Sequence, residues 1–235
     1  MADPLKFLLD KFPFNASFVS RWCFGERSFI LELTNGNIGV CSHFNNENQH
    51  FRAFPTEIDL RNNSHRVLIN AYFNASFNHE AEDGEGDIFD VIDFSQFKNI
   101  VLIGFFPSLV QKFRNNGFPL SIFDPLSDDP EIIPESKKKE YLANADALIF
   151  TATTMYNQTF NSLLNPTQIN CKKFLLGPSA IICKQLLDYY NLDYIFGSKF
   201  KQSDNELFRV IENGGGTRDF TDRIRKVYIC KSNRN

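Results

Sequence analysis

Apolar residues in the second half of the chain fall into short continuous runs that are separated by amphipathic segments. Continuous runs are typical of strands that are covered on both faces. The predicted strands are 99–104, 120–123, 147–150, 174–177 and 194–197, and the predicted helices are about 108–115, 136–142, 159–164 and 180–190. Because strands and helices that alternate in this way form parallel βαβ units, the pattern predicts a Rossmann-like α/β sheet.

The first part of the chain shows a different pattern. Apolar runs at 28–33 and 38–41 flank Thr34-Asn35-Gly36-Asn37. Asn-Gly between two apolar runs predicts a hairpin, because both residues tolerate positive φ. Residues 67–77 then carry apolar side chains at helical spacing. We therefore expect a small α+β domain over residues 1–80, made of a hairpin and helices.

A stretch rich in carboxylates and glycine, residues 79–87, separates the two patterns. It cannot build a core, so we predict an exposed linker over 81–97, followed by the Rossmann-like domain over 98–235. A calcium-binding loop is the alternative, because alternate carboxylates can converge on one ion. The twelve-residue EF-hand spacing is absent, which favours the linker.

Charge and cysteine content narrow the class of protein. The 235-residue chain has a formal net charge of -3, which indicates no nucleic-acid partner. No apolar stretch approaches the roughly 20 residues that cross a bilayer, and the N-terminus lacks the features of a secretory signal. The five cysteines include no C-x-x-C pair and favour reduced thiols. We therefore expect a cytoplasmic protein with no membrane partner.

Small and hydroxylated residues follow the predicted strands, where ligands of open α/β sheets bind. They would let a ligand approach the backbone, beside helix N-termini that offer N–H donors to an anion. Alternatively, they only cap the helices that follow. These candidate binding residues are Gly104, Phe106, Pro107, Asp124, Thr151, Thr153, Thr154, Asn157, Gly177, Pro178 and Ser179.

Asp124 follows Gly104 by twenty residues, a spacing at which an acid can bind a ribose hydroxyl. However, Phe106 and Leu109 stand where a dinucleotide fingerprint has its second and third glycines, and their side chains would block a pyrophosphate. An NAD site is therefore disfavoured. A transferase-like enzyme with a nucleotide-type cofactor, such as S-adenosylmethionine, is an alternative hypothesis, and Asp124 would bind its ribose.

The segment Gly214-Gly215-Gly216-Thr217-Arg218 is a further candidate. Three consecutive glycines indicate unusual backbone angles or a very close backbone approach. The guanidinium of Arg218 could bind a carboxylate or phosphate. We expect the triplet to close over a ligand cleft, with Arg218 facing an anion, and a plain flexible turn is the alternative.

The histidines and cysteines do not form a recognisable metal site. The histidines are His43, His50, His65 and His79, and Cys41 with His43 is the close Cys/His pair. No H-x-x-H, C-x-x-C or H-E-x-x-H spacing occurs, so the sequence predicts no preformed zinc site. A G-x-S-x-G elbow is also absent, which leaves a hydrolase unsupported. The residues do not decide whether the protein is an enzyme.

Four segments of the second half resemble one known family, in that family's order. They are 101–107, 146–154 with Asn157 and Thr159, 177–180, and 214–218. Together they resemble the putative heavy-metal chelation domain family, a domain of unknown function, from Ile100 to about Arg218. The hairpin and Ile69-Asn70-Ala71 are weaker matches. The resemblance implies an enolase N-terminal-like domain before the Rossmann-like domain, with a cleft between the two that handles metals or metal chelators.

We therefore expect a protein that binds a small anionic, metal-chelating ligand between its two domains. Its polar contacts would be Asn70, Thr153, Thr154, Asn157 and Ser179, with Arg218 as the counter-charge. The resemblance allows a divalent metal as cofactor and leaves a homo-oligomer open. Besides the transferase, a non-catalytic interaction module remains an alternative.

Overall fold

The computed structural model describes residues 1–44, 51, 53–80 and 82–231. His50, one of the histidines considered for metal binding, and Ala81, at the start of the predicted linker, lie outside the described residues.

The N-terminal part contains a small antiparallel sheet and its longest helix. Helix α1 (Pro4–Lys11) begins at Asp3, whose carboxylate accepts hydrogen bonds from the first-turn N–H groups. The sheet has the order β1 (Val19–Phe24), β2 (Ser28–Leu33) and β3 (Ile38–Ser42). The predicted hairpin is β2 and β3, and Gly36 in its turn has φ +85°. Helix α2 (Asn63–Phe77) follows, so the α+β arrangement is confirmed.

The second part forms the large, mostly parallel sheet. Its strands are β4 (Gly84–Glu85), β5 (Ile100–Ile103), β6 (Ser121–Phe123), β7 (Ala147–Thr151), β8 (Lys172–Leu176), β9 (Tyr194–Phe200) and β10 (Ile224–Cys230). Their order across the sheet is β4-β10-β9-β8-β7-β5-β6. The strands from β5 to β9 are parallel and match the predicted ones, whereas β10 runs antiparallel to β9 and β4. The Rossmann-like prediction is therefore confirmed, with an antiparallel edge added.

Helices cover both faces of this sheet. They are α3 (Ile88–Val91), α4 (Pro107–Asn115), α5 (Lys138–Ala143), α6 (Phe160–Leu164), α7 (Lys184–Tyr189) and α8 (Asn205–Glu212). Helix α7 begins later than the predicted helix from 180, and α8 was not predicted. Within the described residues, no helix combines the length and the apolar content that crossing a membrane requires.

Strand β5 shows why its apolar run does not alternate with polar residues. Ile100 and Leu102 pack with residues of α3 and α4, whereas Val101 and Ile103 pack with residues of α2, α6 and α7. Successive side chains of a strand point to opposite faces, and here both faces are buried. The continuous run is therefore the consequence of a sheet covered on both sides.

The acidic segment is more ordered than an exposed linker. It contains β4 and α3, and Ile88 and Phe94 are each 1% exposed. Its carboxylates pair with the large domain: Asp83 with Lys184 at 2.9 Å, for example. The prediction missed this because the apolar anchors are isolated between charged residues. The boundaries of the two domains stay a prediction.

One face of α2 carries a row of buried asparagines that bonds the N-terminal part to the large sheet. Asn70, Asn74 and Asn78 are spaced four residues apart, so they lie on the same face of the helix. Their side-chain amides donate to backbone carbonyls of 178–180 and of Ser198, at 2.8–3.0 Å. Because the side-chain NH2 group of each asparagine donates to the segment that follows β8, α2 and this segment keep a fixed relative position.

Candidate functional site

The predicted ligand-binding residues that follow the strands lie at the carboxyl ends of the parallel strands. Strand β5 pairs in parallel with β6 on one side and with β7 on the other. Successive strands are therefore added in one direction from β5 to β6 and in the opposite direction from β7 onward. In open α/β sheets, ligands bind outside the carboxyl ends of the strands next to such a reversal. Because β5, β6, β7 and β8 are parallel, the residues that follow them all lie on this side of the sheet.

At the reversal point, the loop after β5 approaches the end of β7 closely. Gly104 has φ +96°, and a Cβ there would lie 3.1 Å from Cγ2 of Thr151. Glycine therefore satisfies both the backbone angle and the close approach. The Thr151 and Thr153 hydroxyls lie 3.0 Å apart, and the Thr154 hydroxyl donates to the Thr151 carbonyl at 2.7 Å. These hydroxyls stabilise the turn that ends β7.

Asp124 joins the loops after β5 and β6. One carboxylate oxygen accepts from Phe105 N at 2.7 Å, and the other accepts from Leu126 N at 2.8 Å. Each oxygen accepts one backbone donor and retains a further acceptor site. The geometry therefore shows a role for Asp124 in positioning these loops.

A cavity of about 180 Å³ lies beside the first turn of α4. We call it the α4 cleft. Its lining residues come from α3, α4, β8, β9 and β10, from the segments just before α3 and α4, and from the segments after β8 and after the glycine triplet. They are Gly86, Asp87, Ile88, Phe106, Ser108, Leu109, Lys112, Leu176, Gly177, Pro178, Phe196, Gly197, Ser198, Thr217, Thr221, Ile224 and Lys226.

The walls of the α4 cleft are mostly apolar, and its charges are concentrated at Asp87, Lys112 and Lys226. The Asp87 carboxylate accepts from Lys112 Nζ at 3.1 Å and from Lys226 Nζ at 2.5 Å. Burial acts to raise the pKa of Asp87, but hydrogen bonds from Lys226, Phe89 N and Lys112 outweigh it and lower that pKa. The site thus holds one ionised carboxylate between two ammonium groups.

The first turn of α4 adds partial positive charge to the cleft. Phe106 at the N-cap makes no side-chain hydrogen bond to the helix, and Pro107 occupies the first turn. Ser108 and Leu109, in the same turn, line the cavity. Backbone N–H groups at a helix N-terminus favour negative charge nearby.

Comparison with known families identifies the region that carries this cleft. The DUF364 family, described as "Putative heavy-metal chelation", matches residues 87–230. This chain belongs to the DUF364 family. That family description supports a metal-related binding role. The match begins at Asp87 and contains every other residue that lines the α4 cleft except Gly86.

Two solved structures of DUF364 proteins of unknown function have the same fold. The protein from Pyrococcus horikoshii is 17% identical, with a TM-score of 0.79, over 97% of this chain and 99% of that chain. The protein from Desulfitobacterium hafniense DCB-2 is 19% identical, with a TM-score of 0.73, over 97% of this chain and 96% of that chain. No curated protein matches the sequence.

The structure brings some of the predicted residues into the α4 cleft. Phe106, Gly177, Pro178 and Thr217 line it. The lining residues all lie between 86 and 226, so this cavity is within the second part of the DUF364 chain. The α4 cleft is therefore not the cleft that we expected between the two domains.

Ser179 and Asn70 lie together in the interior instead. The Ser179 hydroxyl accepts from Ser42 N at 2.9 Å, and the Ser179 carbonyl accepts from Asn70 Nδ2 at 2.8 Å. Both side chains are buried, and Asn70 Oδ1 has no hydrogen-bond partner among the described residues. Asn157 Oδ1, by contrast, accepts from the N–H and the hydroxyl of Thr159. These contacts join β3, α2 and the loops of the large sheet.

The glycine triplet packs against the turn between β1 and β2. A Cβ on Gly214 would lie 2.9 Å from Glu26 Oε2, and one on Gly216 would lie 3.2 Å from Cδ of Arg27. A Cβ on Gly215 would lie 2.6 Å from Val210. Close approach thus explains the glycines, but they approach the β1–β2 turn and α8. Arg218 is exposed and outside the cleft lining, so a role for it in binding stays a prediction.

Sequence reasoning missed the charged residues of the α4 cleft. Asp87 belonged to the predicted linker, and Lys226 lies on β10, which was not predicted. Lys112 had a usable signal: it lies four residues after Ser108, on the same face of the predicted helix. A search of that face for charged residues would have found it.

The described residues do not fit a metal ion held by the protein alone. Within them, no group of three or more His, Cys, Asp or Glu side chains is placed to hold a metal. Cys41 is fully buried, and burial raises the pKa of its thiol. His43 is also buried, with Nε2 3.1 Å from the Gly25 carbonyl oxygen.

Proposed function

We propose that this DUF364 protein binds a small metal-chelating anion in the α4 cleft. The observation that carries the proposal is the pair Lys112 and Lys226 at a cavity with mostly apolar walls. Among the residues that line the α4 cleft, two ammonium groups beside one carboxylate leave an excess of positive charge. That excess favours an anionic ligand.

The size of the cavity limits the ligand. Its volume of about 180 Å³ is below the roughly 300–1,000 Å³ of pockets that bind drug-sized molecules. A small organic acid with several carboxylates matches this volume better than a nucleotide does. The cleft therefore favours the polycarboxylate class of chelators.

Apolar and hydroxyl-bearing residues lie beside the two lysines, and each kind would contact a different part of the ligand. Apolar walls such as Leu109, Phe196 and Ile224 exclude water, which strengthens the attraction between an ammonium and a carboxylate. Ser198 and Thr221 line the same cavity, and a hydroxyl at either position can donate to a further ligand oxygen. The ligand would thus bind by its carboxylates and bury its carbon skeleton.

The other hypotheses keep less support. Asp124 does not line the α4 cleft, which disfavours a ribose contact by a nucleotide-type cofactor bound there. A non-catalytic interaction module stays open as well.

Differential scanning fluorimetry and isothermal titration calorimetry test the proposal. The probes are citrate, nitrilotriacetate and their nickel(II) and zinc(II) complexes, added to protein without a histidine tag. We expect at least one complex to raise the melting temperature. Lys226→Ala and Lys112→Ala should each weaken its binding about tenfold, which corresponds to about 1.4 kcal/mol.

Lys172→Ala is the matched control. Lys172 is also an exposed lysine paired with an aspartate, Asp193, but it lies at the opposite end of β8. Its replacement should leave binding unchanged. Binding that is equally strong in all three variants would contradict the assignment of the ligand to the α4 cleft.

A further inference from the structure

Asp87 joins the two lysines of the α4 cleft. Its Oδ1 accepts from Lys112 Nζ and its Oδ2 accepts from Lys226 Nζ. The three residues come from three elements: Asp87 precedes α3, Lys112 is in α4, and Lys226 is in β10. In the part of the chain that the structure describes, no other carboxylate pairs with either ammonium group. A single negative charge therefore separates two positive charges at the cleft.

The backbone holds Asp87 in place. Its Oδ1 also accepts from Phe89 N at 3.2 Å, and its own N–H donates to the Asp90 carboxylate at 2.8 Å. The bond from the Asp87 N–H to the Asp90 carboxylate belongs to the capping box that begins α3. The Asp87 side chain is 21% exposed, whereas that of Lys226 is 58% exposed. The carboxylate therefore has a fixed position on the protein.

The lysines are freer to turn toward a ligand. An ammonium group has three N–H donors on a flexible stem, and Lys112 and Lys226 each use one donor on Asp87. Both can bind ligand oxygens without releasing Asp87. A ligand in the cleft would then contact two ammonium groups and lie close to a fixed carboxylate.

This charge pattern distinguishes a free chelator from its metal complex. A free polycarboxylate is attracted by both lysines but repelled by Asp87. In the complex, a cation lies among the carboxylates, where it can accept a further oxygen ligand. One carboxylate between two ammonium groups is thus complementary to one cation between two carboxylates.

We propose that Asp87 makes the α4 cleft selective for the metal-loaded form of a polycarboxylate chelator over the metal-free form. The inference rests on the proposed function and adds the residue that discriminates between the two forms of the ligand. Asp87 contacts the metal of the bound complex, and Lys112 and Lys226 contact its carboxylates.

Calorimetric titration with nitrilotriacetate and with its nickel(II) complex tests this selectivity. Nitrilotriacetate leaves coordination positions on nickel open for a protein oxygen. The wild type should bind the complex at least tenfold more tightly than free nitrilotriacetate. Asp87→Asn removes the charge and keeps the size, so it should weaken binding of the complex about tenfold and strengthen binding of the free anion.

Asp87→Ser and Asp87→Glu complete the test. Serine removes the charge but keeps an N-cap oxygen for α3, so it should lose the preference as asparagine does. Glutamate keeps the charge and should keep the preference. If both neutral variants bind the two forms with the wild-type preference, or change both affinities in the same direction, the inference is wrong.

These outcomes separate the inference from the proposed function. Binding that needs Lys226 but shows no dependence of the preference on Asp87 overturns the inference alone. Failure of the wild type to bind any probe overturns both. Loss of the preference in both neutral variants, with its retention in Asp87→Glu, supports both.

Discussion

Asn74 donates a side-chain hydrogen bond to the carbonyl oxygen of Pro178 at 3.0 Å, and this bond joins helix α2 to a wall of the α4 cleft. The same amide nitrogen donates to the Ala180 carbonyl at 2.9 Å, while Asn74 Oδ1 accepts from Val40 N. One buried side chain therefore connects the small sheet, α2 and the segment that follows β8. The position of the cleft wall depends on a residue of the N-terminal part.

Asn78 makes the same kind of connection and offers a stability test. Its side chain is 1% exposed, donates to the Ala180 and Ser198 carbonyls, and accepts from Ile182 N. Asn78→Leu would leave the buried Ile182 N–H without a partner and remove a donor from the Ala180 and Ser198 carbonyls. We therefore expect a loss of about 2–3 kcal/mol in the free energy of unfolding. Urea denaturation measures it.

Asn165→Ala serves as the control for Asn78→Leu. Asn165 is an exposed asparagine at the end of α6. Exposed substitutions away from such contacts usually change stability by about 0.5 kcal/mol or less. An equal loss in the two variants would show that the asparagine row does not stabilise the contact between α2 and the sheet.

Gly104 and Gly117 form a matched pair for backbone strain. Both have positive φ, +96° and +67°, but a Cβ at Gly104 would lie 3.1 Å from Thr151, whereas one at Gly117 would meet open space. Gly104→Ala should therefore cost more than Gly117→Ala, by about 1–2 kcal/mol. Parallel thermal and urea unfolding of the two variants measures the difference. Equal losses would mean that the loop after β5 can move away from β7.

The cysteines should remain reduced and react slowly. Cys41, Cys171 and Cys183 are buried, and burial raises the pKa of each thiol, that of Cys171 to about 11. Because the thiolate is the reactive form, alkylation of Cys171 should increase as the pH approaches 11 rather than near 9. Mass spectrometry of iodoacetamide-treated native protein measures this, and denaturation should expose all five thiols. A reproducible bridged pair in unreduced protein would contradict the prediction.

Asp204 should make stability depend on acid pH. Burial acts to raise its pKa, but hydrogen bonds from Leu207 N and Arg223 outweigh it and lower that pKa. The resulting stabilisation is complete above the unfolded pKa of about 4 and is lost as the pH falls through it toward the folded value. Asp204→Asn keeps an N-cap for α8 but removes the charge, so it should reduce stability by about 1 kcal/mol at pH 7.

Urea unfolding between pH 3 and pH 7 checks this pH dependence. The difference between Asp204→Asn and the wild type should become smaller toward the acid end of the range. Asp128→Asn, at an exposed position, should follow the wild type throughout. A difference for Asp204→Asn that persists unchanged at pH 3 would mean that the charge of Asp204 is not its cause.

The sequence by itself determined the central strands and the hairpin. The run at 99–104 predicts β5 because a strand buried on both faces needs only apolar residues next to one another. Asn35-Gly36 predicts the β2–β3 turn because its backbone angles are a local property. The motifs at the strand ends also indicated the family. Each of these signals lies within a few consecutive residues, so each can be recognised without the fold.

The tertiary structure alone decided which distant residues form the α4 cleft. Asp87 and Lys226 are 139 residues apart and meet because β10 enters the sheet antiparallel between β9 and β4. The asparagines of α2 look like a polar helix face, yet they are buried against backbone carbonyls that carry no sequence signal. Strand pairing and burial depend on contacts across the whole molecule rather than on local periodicity, and these contacts determined the charges and the walls of the cleft.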